Sequence, residues 1–444
     1  MSPLAQQMRT KLAFAAVTTL FFAWGFITSL VDPLVAAVKG IFTLTDFQAQ
    51  TSTFSFFLAY LLVSIPAAAL VGRLKPVRSI IFALSTMIVG CLLMLVAANS
   101  ASYWFVLLGL FVLASGITVL QVAANPLAAA LGHPRYSHFR LTLSQTFNSF
   151  GTFIGPLLGA HLFLNGLEVK QGAVVMDAAR SDALAGIDSA YFWICGLIGV
   201  LALFFWFSRH VVGHSAESPA STGGLLSAFR SKWALLGGLA IFLYVGAEVA
   251  IGTQMAFFLN DNGIWGQSDA PFSVPLLGYL MGSDGVPGVS LQEAGKAVAF
   301  YWGGAMIGRA IGSLLLTKVQ AHRLLATFAM IAAISCFYVL VVGGVSAGFV
   351  ALGIGLFNSI MFPVIFTLTL ERSSASAEST SGLLCTAISG GAVIPLIVGT
   401  VSGMHGYGFA LIVPGLCYIA VILFAVIAGL KPVGHKTVET ASLH

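Results

Sequence analysis

Two carboxylates stand well inside long apolar runs: Asp32 in FFAWGFITSLVDPL and Glu248 in IFLYVGAEVAIGTQ. A charge sunk in hydrocarbon is costly, so such a group is first read as one that handles an ion or a solute. Pro33 follows Asp32 and withholds the N–H that a carbonyl one turn back would accept. Asp32 therefore reads as a cation-binding carboxylate; the competing reading is a helix-end acid reaching the outer interface. Glu248 could titrate, accept hydrogen bonds from a hydroxylated solute, or serve as the structural partner of an arginine in its own half. Gln254 adds an amide further along the same run.

Neutral amides form a second group. Gln121 and Asn125 are four residues apart, Gln145 and Asn148 three apart, so each pair shares one face of a helix. Asn358 sits in the middle of another apolar run. An amide both donates and accepts, so it can grip hydroxyls without carrying charge. The alternative is interhelical glue, worth about 1 kcal/mol or less per bond. Trp24, Tyr301 and Trp302 offer flat faces on which a ring could stack, or they pack among themselves. Arg73 and Arg309, toward the inner ends of their runs, are expected to pair with helix ends or acids and hold a gate. Snorkelling to the interface is an equal contender.

These residues are carried by segments built for a bilayer. Of 444 residues, 58% are hydrophobic and 8% charged, with a mean hydropathy of +0.97. That composition excludes a soluble globular enzyme, a disordered chain and a nucleic-acid binder. A helix needs about 20 apolar residues to cross. Twelve such spans are expected, at about 12–38, 48–71, 79–98, 103–131, 141–165, 189–208, 234–259, 294–317, 323–342, 346–370, 382–402 and 408–429. Only Lys39, Lys170, Arg180 and Lys296, four of the 20 cations, fall on the odd-numbered connections and their edges. The positive-inside rule then puts both termini in the cytoplasm, in a multi-pass protein of the cell's inner (plasma) membrane. All five cysteines lie in apolar runs and read as small core residues.

The chain also reads as a duplication. FVLASGITVLQVAANP ends at Pro126 and FVALGIGLFNSIMFP at Pro363, an offset of 237. Gly151/Gly390 and Pro156/Pro395 differ by 239, and Gly72-Arg73/Gly308-Arg309 by 236. The fold class is therefore all-α integral membrane, two pseudo-symmetric six-helix halves at 1–208 and 234–444, joined by a cytoplasmic linker at 209–233. Two such halves suggest rocking about a central site near the midplane. An enzyme would need a catalytic constellation, and none is present: the nine histidines show no metal spacing, and no phosphate loop or Ser-His-Asp set is found.

The polar segments resemble the fucose–proton symporter family of the major facilitator superfamily. The resemblance rests on IFTLTDFQAQ (41–50), LASGITVLQVAANPLAAALG (113–132), RLTLSQTFNSFGTFIGPLLG (140–159), FLYVGAEVAIG (242–252), GLFNSIMFPVIFTLTLE (355–371) and SGLLCTAISGGAVIPL (381–396). Within that family it is most similar to the glucose/galactose transporter branch. The resemblance implies that Asp32 couples a cation to sugar and that Gln145 and Asn148 contact the sugar. The family's second acid, in the pattern E-x-A-A-N-P, falls on Gln121, which carries no proton. An amide oxygen beside a carboxylate can still ligate a hard cation. The resemblance thus implies sodium, with Asp32 as its anionic ligand, ahead of a proton.

The expected function is cation-driven import of a neutral monosaccharide, a glucose/galactose-type hexose ahead of fucose. Gln121, Asn125, Gln145, Asn148, Glu248, Gln254, Trp302 and Asn358 would engage it. No cofactor is expected beyond the co-transported sodium or proton. The expected partners are sugar and lipid bilayer, with no nucleic acid, and the expected state is a monomer. A facilitative sugar uniporter and a drug/proton antiporter of the same superfamily are the rivals.

Overall fold

A computed structural model describes residues 3–30, 34, 38, 41–42, 44, 46–163, 177–214, 227–283 and 285–431. Every long element in it is a helix, the form in which a chain in lipid satisfies its own backbone polar groups. The spans are one (Pro3–Ser29), two (Asp46–Leu74), three (Pro76–Ser100), four (Tyr103–Ala130), five (Ser137–Phe163), six (Asp177–His214), seven (Lys232–Asn260), eight (Leu291–Leu315) and nine (Ala321–Val342). Span ten (Gly344–Arg372), span eleven (Ala377–His405) and span twelve (Tyr407–Leu430) complete the set.

Among the described residues, 11 helices are apolar and long enough to cross a membrane. The exception, span five, has the length at 27 residues. Its inner stretch, LTLSQTFNS, is too polar for composition alone to mark it as a span. Large apolar side chains cover the outside of the bundle, Trp104, Phe207 and Leu430 among the most exposed. That is the surface of a protein whose solvent is hydrocarbon.

Packing repeats with a shift of six spans. Spans one and five, three and four, three and six, and two and four pack together in the first half. Spans seven and eleven, nine and ten, nine and twelve, and eight and ten do so in the second. Glycines make the closest approaches. A Cβ on Gly151 would stand 2.3 Å from the carbonyl oxygen of Phe22, and one on Gly390 would stand 2.0 Å from that of Phe242. The two positions are equivalents, and both need a bare backbone for helices to touch. Valine at either position is therefore expected to lower the thermal unfolding temperature of the purified carrier, at a cost of about 1–3 kcal/mol from overpacking. Gly196→Val, where nothing lies within 4 Å of the added carbon, should leave the temperature unchanged.

Prolines punctuate spans four and ten at matching places. Pro126 deprives the Val122 carbonyl of its helical donor, and Pro363 does the same to Ser359. Span four continues through its proline. Span ten breaks there, one helix ending at Asn358 and the next starting at Met361. Span eleven is also interrupted, by a 3-10 turn at Ala387–Ser389. In sequence each of these reads as one continuous run.

The connection from span seven to span eight is structured. A short helix, Pro275–Met281, follows a 3-10 turn at Ala270–Ser273. Trp265 is fully buried and donates from Nε1 to the Val345 carbonyl at 3.0 Å, which fastens the connection to the start of span ten.

The halves meet at the end of the bundle where the chain enters span one and leaves span twelve, here called the terminal end. Spans five and eight, two and eleven, four and eleven, and five and ten supply that contact.

Candidate functional site

In the first half, four amides fill the space among spans one, two, four and five. Gln121 is 3% exposed and donates to the Tyr60 hydroxyl at 2.6 Å, tying span four to span two. Gln145 donates to Asn125 Oδ1 at 3.4 Å, tying span five to span four. Asn148 donates to the Phe21 carbonyl at 3.0 Å, tying span five to span one. These bonds use part of the amides' capacity. Among the described residues Asn125 Nδ2 is buried with no partner, as are the hydroxyls of Thr28 and Thr142. An orphan donor in a buried place is costly unless something arrives to accept from it. Asp32, the carboxylate singled out above, lies outside the described residues.

In the second half, Glu248 and Arg309 form an ion pair at 3.3 Å, each side chain 11% exposed. The guanidinium serves three masters. Nε donates to the Ser359 carbonyl at 2.7 Å, the group that Pro363 left without a helical donor. Nη2 meets Glu248, and Nη1 donates to the Ser149 hydroxyl of span five, in the other half. The head group thus sits at the level of mid-span residues, well above the inner end of span eight where the sequence reading had put it.

Asn358 stands immediately before the break in span ten. It donates to the Tyr301 hydroxyl at 2.6 Å, and Tyr301 in turn donates to the Glu248 carbonyl at 3.0 Å. Among the described residues Asn358 Oδ1 is buried without a partner, while the buried Tyr244 hydroxyl lies beside the Glu248–Arg309 pair. Trp302, half-buried, meets Tyr301 edge-on with centroids 5.1 Å apart. Trp24 is buried against Phe21.

Two sequence-predicted residues stand apart. Gln254 lines a small apolar cavity with Ala351, Val398 and Tyr407, away from the Glu248 cluster. Six residues along a helix is about 240° of turn, so Gln254 and Glu248 point to different faces of span seven. Arg73 is exposed at the end of span two and makes no ion pair or side-chain hydrogen bond with a described residue.

Other participants gave no sign in the sequence. In sequence His138 reads as a cytoplasmic-loop histidine, either satisfied or solvated. It lies instead in the first turn of span five, its side chain 16% exposed and 3.2 Å from Glu371 of the other half. Its Nδ1 is 2.5 Å from the Thr367 hydroxyl, and Ser137 donates to Glu371 at 3.1 Å. Ser381 of span eleven donates to the Val122 carbonyl at 3.0 Å, again a carbonyl that a proline freed. Arg140 is 7% exposed and donates to the carbonyls of Ala128, Ala129 and His133, closing the end of span four. The one available signal was the proline itself: a carbonyl four residues earlier must find a donor elsewhere.

A bundle of membrane spans in two similarly packed halves, with buried polar groups where they meet, defines a multi-pass solute carrier. Comparison with known proteins makes the class specific. The Major Facilitator Superfamily model matches residues 13–395. A "Glucose/galactose transporter" of Brucella abortus is 37% identical over 423 residues, covering 95% of both chains. The "L-fucose-proton symporter" of Escherichia coli is 30% identical, covering 93% of this chain and 92% of the other. A crystal structure of that superfamily, FucP in the outward conformation, superposes with a TM-score of 0.79 at 27% identity, over 95% of this chain and 99% of the other. The chain belongs to the Major Facilitator Superfamily, in the family of the fucose–proton symporter, and is a transporter and not an enzyme.

Proposed function

We propose that this protein is a secondary active importer of a neutral monosaccharide, a glucose/galactose-type hexose, driven by a cation and working by alternating access. The observation that carries the reading is the charge balance of the core: amides on one side of the contact between halves, and on the other an acid already neutralised by Arg309. Such a lining suits a polyhydroxyl solute without net charge. The names of the relatives, glucose/galactose transporters and fucose–proton symporters, support the same substrate class.

Sodium is proposed ahead of the proton, with Asp32 as its anionic ligand. Gln121 supports this choice: its Nε2 donates to Tyr60, and its amide oxygen is an acceptor suited to a hard cation. The joined terminal end supports a state open toward the other side, with the terminal end in the cytoplasm.

Purified protein in proteoliposomes tests the reading. Labelled glucose, galactose and fucose are offered under an imposed sodium gradient, an imposed proton gradient, or neither. Uphill hexose uptake with sodium is the expected result. Equal uptake with neither gradient would identify a uniporter, and extrusion of apolar compounds would identify an antiporter. Gln121→Glu adds a second titratable group and is expected to make uptake depend on a proton gradient that the parent ignores.

A further inference from the structure

The two proline-freed carbonyls are matched in position but not in how they are satisfied. Ser359 receives Arg309 from span eight, within its own half. Val122 receives Ser381 from span eleven, across the contact between halves. The carbonyl freed in the second half is thus satisfied internally, whereas the one freed in the first half is satisfied by Ser381 only while the halves are together at the terminal end. Val122 lies next to Gln121 and three residues before Asn125, so its carbonyl belongs to the same turn as the amide pair.

We infer that Ser381 is a positioning residue for transport: its hydroxyl on the Val122 carbonyl reports closure of the terminal end to Gln121 and Asn125. Ser381 is fully buried, and a Cβ on its neighbour Gly382 would stand 2.6 Å from that of Ala68. The serine therefore cannot move without parting span eleven from spans two and four. When the halves part at that end, the Val122 carbonyl loses the one side-chain donor it has among the described residues, at a point where Pro126 supplies none. The turn holding Gln121 and Asn125 must then adjust, or a new donor must reach it. Closure and the shape of the amide pair become one equilibrium, and each must bias the other. This inference rests on the alternating-access reading proposed above.

The test uses the full chain in proteoliposomes. Ala129, 8% exposed, lines the cavity between the halves at the terminal end, so a cysteine there reports opening by its reaction with an impermeant maleimide. Ser381→Ala is expected to speed that labelling by roughly two- to tenfold, the shift that one ordinary hydrogen bond gives, and to raise the sugar KM more than it changes kcat. Ser381→Thr, which keeps the hydroxyl, should restore both. Pro126→Ala returns a helical donor to Val122, so Ser381→Ala added to it should change neither readout further.

Parental labelling and KM in a folded Ser381→Ala carrier would overturn the inference, as would an undiminished effect in the Pro126→Ala background. Should Ser381→Ala not fold, Pro126→Ala alone decides: unchanged labelling and KM support a purely structural serine, and altered state bias supports the coupling. Absence of any sugar binding by the parent would instead strike the proposed function, and the labelling comparison would still stand on its own.

Discussion

Truncating either member of the Glu248–Arg309 pair is expected to do more damage than removing both. Glu248→Ala leaves a guanidinium 11% exposed with no counter-charge. Arg309→Ala leaves a buried carboxylate, and also strips the donor from the Ser359 carbonyl at the break of span ten. Breaking a buried pair from one side costs about 3–5 kcal/mol, because the survivor stays desolvated. Each single variant should therefore yield little folded carrier, read as a lowered unfolding temperature and a loss of uptake per milligram of lipid-inserted protein.

The double variant Glu248→Gln/Arg309→Met removes both charges at similar volume and should recover folding beyond what the two single losses would sum to. Arg309→Lys keeps the charge but not the fork. It can hold one of Glu248, the Ser359 carbonyl and Ser149, so its expected behaviour lies between parent and alanine. If the double variant is the least stable of the set, the pair is not a unit and Arg309 supports the break of span ten independently of Glu248.

The spans and the duplication were legible in the sequence for a simple reason. Lipid demands about 20 apolar residues per crossing, and prolines and glycines at equal offsets survive as backbone necessities. Span five shows the limit: LTLSQTFNS is polar because it faces other helices, yet the helix is as long as its neighbours. The amides could be named as polar groups within spans, but not their partners. Ser149, Ser381 and His138 were invisible for a different reason. A serine in a helix bonds its own backbone by default, as Ser149 does to Gln145 while also receiving Arg309, and nothing local distinguishes one that reaches across.

The Gly-Arg pairs show how duplication can mislead. Arg73 and Arg309 occupy equivalent places, but among the described residues only Arg309 meets a mid-span acid. The offset of 220 between Phe22 and Phe242 puts Thr28 where Glu248 would be. Arg73 accordingly stays at the surface, and a shared gating role for the two does not follow from their shared sequence context.

Asp32→Asn is expected to separate transport from accumulation. The amide has nearly the carboxylate's shape but no charge with which to attract sodium or bind a proton. A cation carried with each sugar draws on the membrane potential at about 2.3 kcal/mol per 100 mV, and each 1.4 kcal/mol is tenfold in concentration. The parent should therefore hold sugar inside at roughly fifty times the outside level at 100 mV, whereas Asp32→Asn should stop at equality. Exchange of labelled for unlabelled sugar needs no net ion movement, so it should continue in the variant and certify that it is folded. Reciprocity gives a second readout: sodium should tighten sugar binding in the parent, and the same factor must separate sodium affinities with and without sugar. In Asp32→Asn both factors should fall to about one together. A variant that exchanges sugar and still concentrates it would move the coupling charge elsewhere, and Glu248, already balanced by Arg309, would be the next carboxylate to test.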